Sequence, residues 1–175
     1  MVQLRERDAP AADLLRMARA LREMTEGRAL LIVNDRADVA LAAAADGVQL
    51  GERSLPVEAA RRVCGRNILL GRSVHSRDGA RAAEREGADY LVLGTVFASR
   101  SHPGGEAGGP GLVREVADAV ELPVIAIGGI DASNAGAVIE AGARGVAAIG
   151  AILGDTDPEA AARRLAEAIG APGTR

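Results

Sequence analysis

Apolar positions along the chain fall into two alternating kinds of segment. Short unbroken runs of Val, Leu and Ile alternate with alanine-rich stretches whose apolar residues recur at helical spacing. The runs Val2–Leu4, Leu30–Val33, Val48–Leu50, Ile68–Val74, Tyr90–Phe97, Pro123–Ile127 and Val146–Leu153 predict seven strands. Helices are predicted over Asp13–Met24, Ala37–Ala45, Pro56–Val63, Arg77–Glu86, Leu112–Val120 and Ala132–Ala141. Ser54, Ser76 and Asp131 are candidate caps. Asp157-Pro158-Glu159 reads as the N-cap, first-turn proline and acidic first turn of a last helix.

The strand runs are continuous, which is the pattern of strands covered on both faces. Serial βα units then predict a parallel sheet. A local echo supports the repeat. Ala45-Asp46-Gly47-Val48-Gln49-Leu50-Gly51, Ala88-Asp89-Tyr90-Leu91-Val92-Leu93-Gly94 and Ala143-Arg144-Gly145-Val146 with its run to Gly150 share one plan. Each turns tightly out of a helix and runs to a closing glycine. The expectation is a TIM-type (β/α) barrel of parallel strands in a single domain, residues 1–175. Such barrels close with eight strands, so seven predict a barrel lacking its first βα unit.

Composition narrows the chemistry. The chain has a net charge of −3 and 175 residues, which fits one core and argues against a nucleic-acid partner. It contains no lysine, so Schiff-base chemistry through a lysine amine is excluded. Its one cysteine, Cys64, excludes an intrachain disulfide and a cysteine-rich zinc site, and predicts a reducing, cytoplasmic setting. No run is long enough to span a membrane, and no membrane partner is expected.

In parallel α/β folds, ligands collect at the C-terminal ends of strands. The polar residues expected there are Gln3, Arg5 and Arg7, then Asn34 and Asp35, then Gly51–Ser54, then Ser73 and His75. The segment Gly94–Gly111 follows the fifth strand and carries Ser99, Ser101 and His102. Gly128 and Gly129, then Ile149 and Gly150, follow the last two strands. Paired glycines between strand and helix let backbone N–H groups converge on an anion, so these four positions are read as a phosphate site. The alternative is a tight turn and nothing more. Asp35 is a candidate magnesium ligand; its alternative is pairing with Arg36 or capping the next helix. His102, among hydroxyls, is the preferred acid or base, and His75 is the other imidazole.

The runs NDRADVALAAAADGVQLGERSLP, GRSVHS, ADYLVLGTVF, PVIAIGGID and GVAAIGAI resemble, in order, the thiamine-phosphate synthase/TenI family. The resemblance implies a βα barrel, a thiazole-phosphate ligand and a role in thiamine biosynthesis. Synthases of the family join hydroxymethylpyrimidine diphosphate to thiazole phosphate and release pyrophosphate with Mg²⁺. The TenI branch isomerises a thiazole carboxylate phosphate by moving a proton, with no cofactor. Gln3, Arg5 and Arg7 match the synthase Gln-x-Arg-x-Lys segment, and Asn34 and Asp35 match its Asn-Asp pair. The synthase His-x-Gly-Gln-x-Asp segment is here Gln49–Ser54, with Ser54 in place of a second metal-holding Asp. The Thr-x-Thr-Lys loop becomes Ser99–His102, and Gly150 stands where a serine is expected.

The segment GRSVHS resembles the TenI branch, yet Thr95 occupies the position of the tautomerase histidine. The expectation drawn is a TenI-like thiazole tautomerase with His102 moving the proton. Gln3, Arg5, Arg7, Asn34, Ser73, His75, Ser99 and Ser101 then bind substrate, and Gly128, Gly129, Ile149 and Gly150 hold the phosphate. The alternatives are a synthase using Mg²⁺ through Asp35, and a non-catalytic thiazole- or thiamine-phosphate binder. A homo-oligomer is compatible with any of them.

Overall fold

A computed structural model describes residues 1–98 and 107–170. Ser99, Ser101 and His102 therefore lie outside the described residues. The chain divides into two compact units, Met1–Ser73 with Ala83–Tyr90 and Val74–Ala82 with Leu91–Arg175. Among the described residues no helix is long and apolar enough to cross a membrane.

In the first unit, β1 (Val2–Leu4), α1 (Ala11–Thr25), β2 (Leu31–Asn34), α2 (Ala37–Ala42), β3 (Gly47–Leu50) and α3 (Val57–Cys64) lead to β4 (Leu69–Val74). Its strands pair in parallel and in sequence order, with Val33 beside Val48 and Val48 beside Leu70. After α4 (Arg77–Arg85), the second unit continues from β5 (Tyr90–Leu93) through α5 (Gly109–Ala117), β6 (Val124–Ile127), α6 (Ala135–Glu140) and β7 (Gly145–Ala147). It closes with α7 (Gly150–Leu153) and α8 (Pro158–Ala168). Parallel pairing continues there, Leu91 beside Val124 and Ile125 beside Gly145. This is the α/β, TIM-barrel-type arrangement of alternating strands and helices.

Methyl-bearing side chains fill the core. Leu31, Ile32, Val33, Val48, Leu70, Leu91 and Leu93 are all buried. In β2 and β3 neighbouring residues are buried alike, so both strand faces are covered. β1 differs, with Val2 and Gln3 exposed.

The sequence echo has a physical basis at the start of the strands. Asp46 N donates to Leu31 O at 2.9 Å, and Asp89 N donates to Leu70 O at 2.8 Å. Their carboxylates return the contact: Asp46 Oδ2 accepts from Leu31 N at 2.7 Å, and Asp89 Oδ2 accepts from Leu70 N at 2.7 Å. Arginines from the last turns of α1 and α3 complete each set, Arg22 on Asp46 and Arg61 on Asp89, both at 2.6 Å. Each carboxylate thus staples a helix end to the strand that follows it. In the third echo Arg144 keeps only the backbone part, donating from its N to Val124 O at 2.8 Å.

Three local expectations are corrected. The apolar run Val146–Leu153 is a short strand followed by a helical turn, not one strand. Such a run suits either state, and exposure decides here: Ile149 is 52% and Leu153 74% exposed, outside the core. β5 ends at Leu93 rather than Phe97. Beyond it Val96 N donates to Ile127 O at 3.0 Å and Phe97 N to Gly128 O at 2.9 Å, so the chain bends onto the end of β6. Ser54 caps no helix; Pro56 occupies the N-cap of α3. Ser76 does cap, accepting from Gly79 N at 3.2 Å, and Asp157 accepts from Ala160 N at 3.0 Å.

Burial pushes the Asp46 carboxyl up, but the Leu31 N–H and the Arg22 guanidinium outweigh it and hold the group below its ordinary value. The stabilisation is therefore present above the ordinary carboxylate pKa of about 4 and is lost as pH falls through the lower folded value. Urea unfolding of Asp46→Ala should show a loss of roughly 2 kcal/mol at pH 7 that shrinks toward pH 3. A loss independent of pH would contradict the staple.

Candidate active site

Parallel register determines which side chains meet at the strand ends of the first unit. Asn34 lies beside Gln49, and Gln49 beside Gly71. A row of Asn34, Gln49 and Gly71 therefore crosses β2, β3 and β4, polar at its first two positions.

One carboxylate organises this row. Asp35 follows β2 with φ of 60°, a left-handed conformation that is costly for most residues but tolerated by Asp. Its N–H donates to Gln49 O at 2.9 Å. Asp35 Oδ1 accepts from Gly51 N at 3.3 Å and from the Ser54 hydroxyl. Asp35 Oδ2 accepts from Asn34 Nδ2 at 2.8 Å, and Asn34 Oδ1 accepts from Gln3 Nε2 at 3.0 Å. Gln3, Asn34, Asp35 and Ser54 thus form one continuous chain of hydrogen bonds. Arg36 pairs with Asp38 at 2.6 Å, so neither alternative role foreseen for Asp35 is the one it takes. Arg72 secures the loop after β3, donating to Gly51 O at 2.8 Å. Arg5 and Arg7 are exposed beyond β1.

Ser73, near the end of β4, accepts from Gln49 Nε2 at 3.0 Å. Gln49 and Arg72 were absent from the expected site. The signal for Gln49 was a lone amide inside an apolar strand.

Among the described residues no three His, Cys, Asp or Glu groups gather around a common point. The donor set still fits magnesium of one kind. This hard ion takes one or two carboxylates and fills its other positions with water and substrate phosphate oxygens. Asp35 offers the carboxylate, and Ser54 adds a neutral oxygen beside it.

The second unit holds the glycine loops. Gly128 and Gly129 follow β6 with φ of 106° and 60°. A Cβ on Gly128 would lie 2.7 Å from Thr95 Cγ2, and one on Gly129 only 2.5 Å from Ala98 O. Both glycines are therefore required by packing as well as by conformation. Asn134 braces this loop by donating to Gly129 O at 3.0 Å and accepting from Asp131 N at 3.0 Å. The Ser133 hydroxyl and N–H both donate to Asp131 Oδ1 and hold its carboxyl below the ordinary range. Ile149 and Gly150 open α7, and a Cβ on Gly150 would meet nothing within 4 Å. His75 Nδ1 contacts Gly94 O, which ties the end of β4 to the end of β5.

Two shallow cavities lie elsewhere. One of about 580 Å³ includes Arg61 and Asp89, and one of about 290 Å³ includes Pro123 and Arg144. Both sit at N-terminal strand ends, the face that in such folds serves stability rather than chemistry.

Polar side chains and glycine loops at the C-terminal ends of parallel strands define an enzyme of the TIM-barrel type. Its family follows from sequence similarity. The family model described as thiamine monophosphate synthase matches residues 1–152, and the chain belongs to that family. It is 48% identical to a thiamine-phosphate synthase of Moorella thermoacetica, over 96% of this chain and 81% of the relative. It is 49% identical to a thiamine-phosphate synthase of Methanoculleus marisnigri, over 98% and 82%. The solved thiamine phosphate pyrophosphorylase of Pyrococcus furiosus is similar with a TM-score of 0.89 and 38% identity, covering 96% of this chain and 81% of that one. The chain is an enzyme of thiamine biosynthesis. The Moorella and Methanoculleus relatives carry the synthase name, so the expected preference for the tautomerase gives way to its synthase alternative.

Gly129→Ala should lower stability by roughly 2 kcal/mol or more, from left-handed strain together with collision against Ala98 O. Chemical denaturation checks this, and an unchanged midpoint would contradict the close approach.

Proposed function

We propose that the protein is a thiamine-phosphate synthase, joining hydroxymethylpyrimidine diphosphate to thiazole phosphate. The observation that carries the reading is the Gln3–Asn34–Asp35 hydrogen-bonded chain, in a protein 48% identical to a relative named for this activity.

In this reaction a bond forms between the pyrimidine methylene carbon and the thiazole ring nitrogen, and the carbon–oxygen bond to the diphosphate breaks. The thiazolium nitrogen carries the new positive charge, and pyrophosphate leaves with the bonding electrons. No proton needs to move, so the chemistry calls for binding and charge compensation rather than an acid–base pair. That suits the described site, where the one imidazole, His75, is engaged with Gly94 O.

In this assignment Gln3 and Ser73 orient the pyrimidine, and Arg5 and Arg7 meet the diphosphate. Arg5 and Arg7 bring charge that a solvated loop can swing onto an anion. Asn34 holds the Asp35 carboxylate in place. Asp35, with the Ser54 hydroxyl, would hold Mg²⁺ together with diphosphate oxygens. The metal, when bound, compensates the negative charge gathering on pyrophosphate as it departs. The thiazole phosphate falls to the backbone N–H groups of Gly128, Gly129 and Gly150, with Ile149 shaping the turn. Substrates of this kind are the small-molecule partners.

Wild-type protein should release one pyrophosphate per thiamine phosphate formed, with activity abolished by EDTA and restored by Mg²⁺. Asp35→Asn should lower kcat/KM by about a hundredfold or more, from loss of the one carboxylate. Coupled pyrophosphate detection measures both. Isomerisation of thiazole carboxylate phosphate in EDTA, without pyrophosphate release, would overturn the reading in favour of the tautomerase.

A further inference from the structure

Gln49 is a buried amide with a hydrogen bond on only one of its two polar atoms. It is 2% exposed on β3, between Val48 and Leu50 in the chain. Its Nε2 donates to Ser73 Oγ at 3.0 Å, while its Oε1 has no partner among the described residues. An apolar side chain of the same length would fill this space without stranding an acceptor. A buried group left unsatisfied calls for a reason beyond packing.

The surroundings are built around the amide. Gly71 sits beside Gln49 across the β3–β4 pair. A Cβ on Gly71 would lie 2.3 Å from Gln49 Oε1 and 2.2 Å from Tyr90 Cζ. The missing side chain at position 71 is therefore the space in which the Gln49 amide and the Tyr90 ring meet. With that space filled, Gln49 could not lie against β4 and reach Ser73.

A serine hydroxyl has one proton to donate and two lone pairs to accept with. Gln49 N–H occupies a lone pair of Ser73, which turns the Ser73 proton away from β3. We propose that Gln49 is a positioning residue: it fixes Ser73 as a hydrogen-bond donor, so that the site selects a substrate with an acceptor atom, such as a pyrimidine ring nitrogen, at that point. This rests on the synthase reading, in which Ser73 faces the pyrimidine.

Gln49→Met removes the directing N–H and the stranded oxygen while keeping the shape. Calorimetry with hydroxymethylpyrimidine diphosphate and Mg²⁺ should then show affinity weakened about tenfold, the loss of one oriented hydrogen bond. The KM for thiazole phosphate should stay within about twofold, and the melting temperature should hold or rise. In a Ser73→Ala background the same change should add nothing, since Gln49 acts through Ser73. Gln49→Glu, nearly the same shape, should weaken pyrimidine binding more than Gln49→Met, because a carboxylate captures the Ser73 proton. Unchanged pyrimidine affinity in Gln49→Met overturns the inference, as does an effect undiminished in Ser73→Ala, or a rise in both substrate constants with a lower melting temperature. A wild-type protein that neither binds the pyrimidine diphosphate nor makes thiamine phosphate removes the synthase reading and this inference with it. Active wild type with unaffected Gln49 variants removes this inference alone.

Discussion

Everything at the strand ends of the first unit depends on a carboxylate held in a strained position. Asp35 sits in left-handed backbone just past β2, with its N–H tied to Gln49 O. That conformation carries a cost, which the surrounding hydrogen bonds offset. Asn34 reaches forward from the same strand, and Gly51 and Ser54 reach across from the loop after β3. Arg72 holds that loop from β4 through Gly51 O. Were Asp35 apolar, Gly51 N–H and the Ser54 hydroxyl would lose their common acceptor, and the loop would lose its reference point.

The opposite strand ends are held by a different device built from the same chemistry. Asp46 and Asp89 each bind a strand N–H and a helix arginine. In each, Oδ2 accepts from both the strand N–H and the arginine and so holds a helix in place. Asp35 lies where loops are free to diverge in length and content without disturbing the packed strands. Asp46 and Asp89 thus hold helices at one end of the strands, and Asp35 holds a loop at the other.

Much of the fold was legible from periodicity alone, because continuous apolar runs and alanine-rich amphipathic stretches alternate so regularly. Strand ends were not. In Val146–Leu153 every residue is apolar or glycine, so no local signal separates β7 from α7. In Tyr90–Phe97 the bend after Leu93 is set by contacts with Ile127 and Gly128, more than 30 residues away. The candidate site was readable where strand ends carry polar residues, as with Gln3, Asn34 and Asp35. It was not readable where a role depends on a distant partner. Ser54 looked like a helix cap and is instead bonded to Asp35 across 19 positions. Gln49 looked like one substituted position in a motif until its contact with Ser73 and the empty side of Gly71 were seen together.

The central claim is that Asp35 is half of a metal site, completed by the substrate's diphosphate rather than by a second carboxylate. Ser54 stands where the resemblance leads one to expect that second charge, and a neutral hydroxyl attracts a divalent cation only weakly. Titration calorimetry with Mg²⁺ tests this directly. The account predicts no measurable binding to the protein alone, saturable binding once hydroxymethylpyrimidine diphosphate is present beyond what the diphosphate shows by itself, and loss of that increment in Asp35→Asn. Tight one-to-one binding of Mg²⁺ to the protein alone, or an increment undiminished in Asp35→Asn, would contradict it.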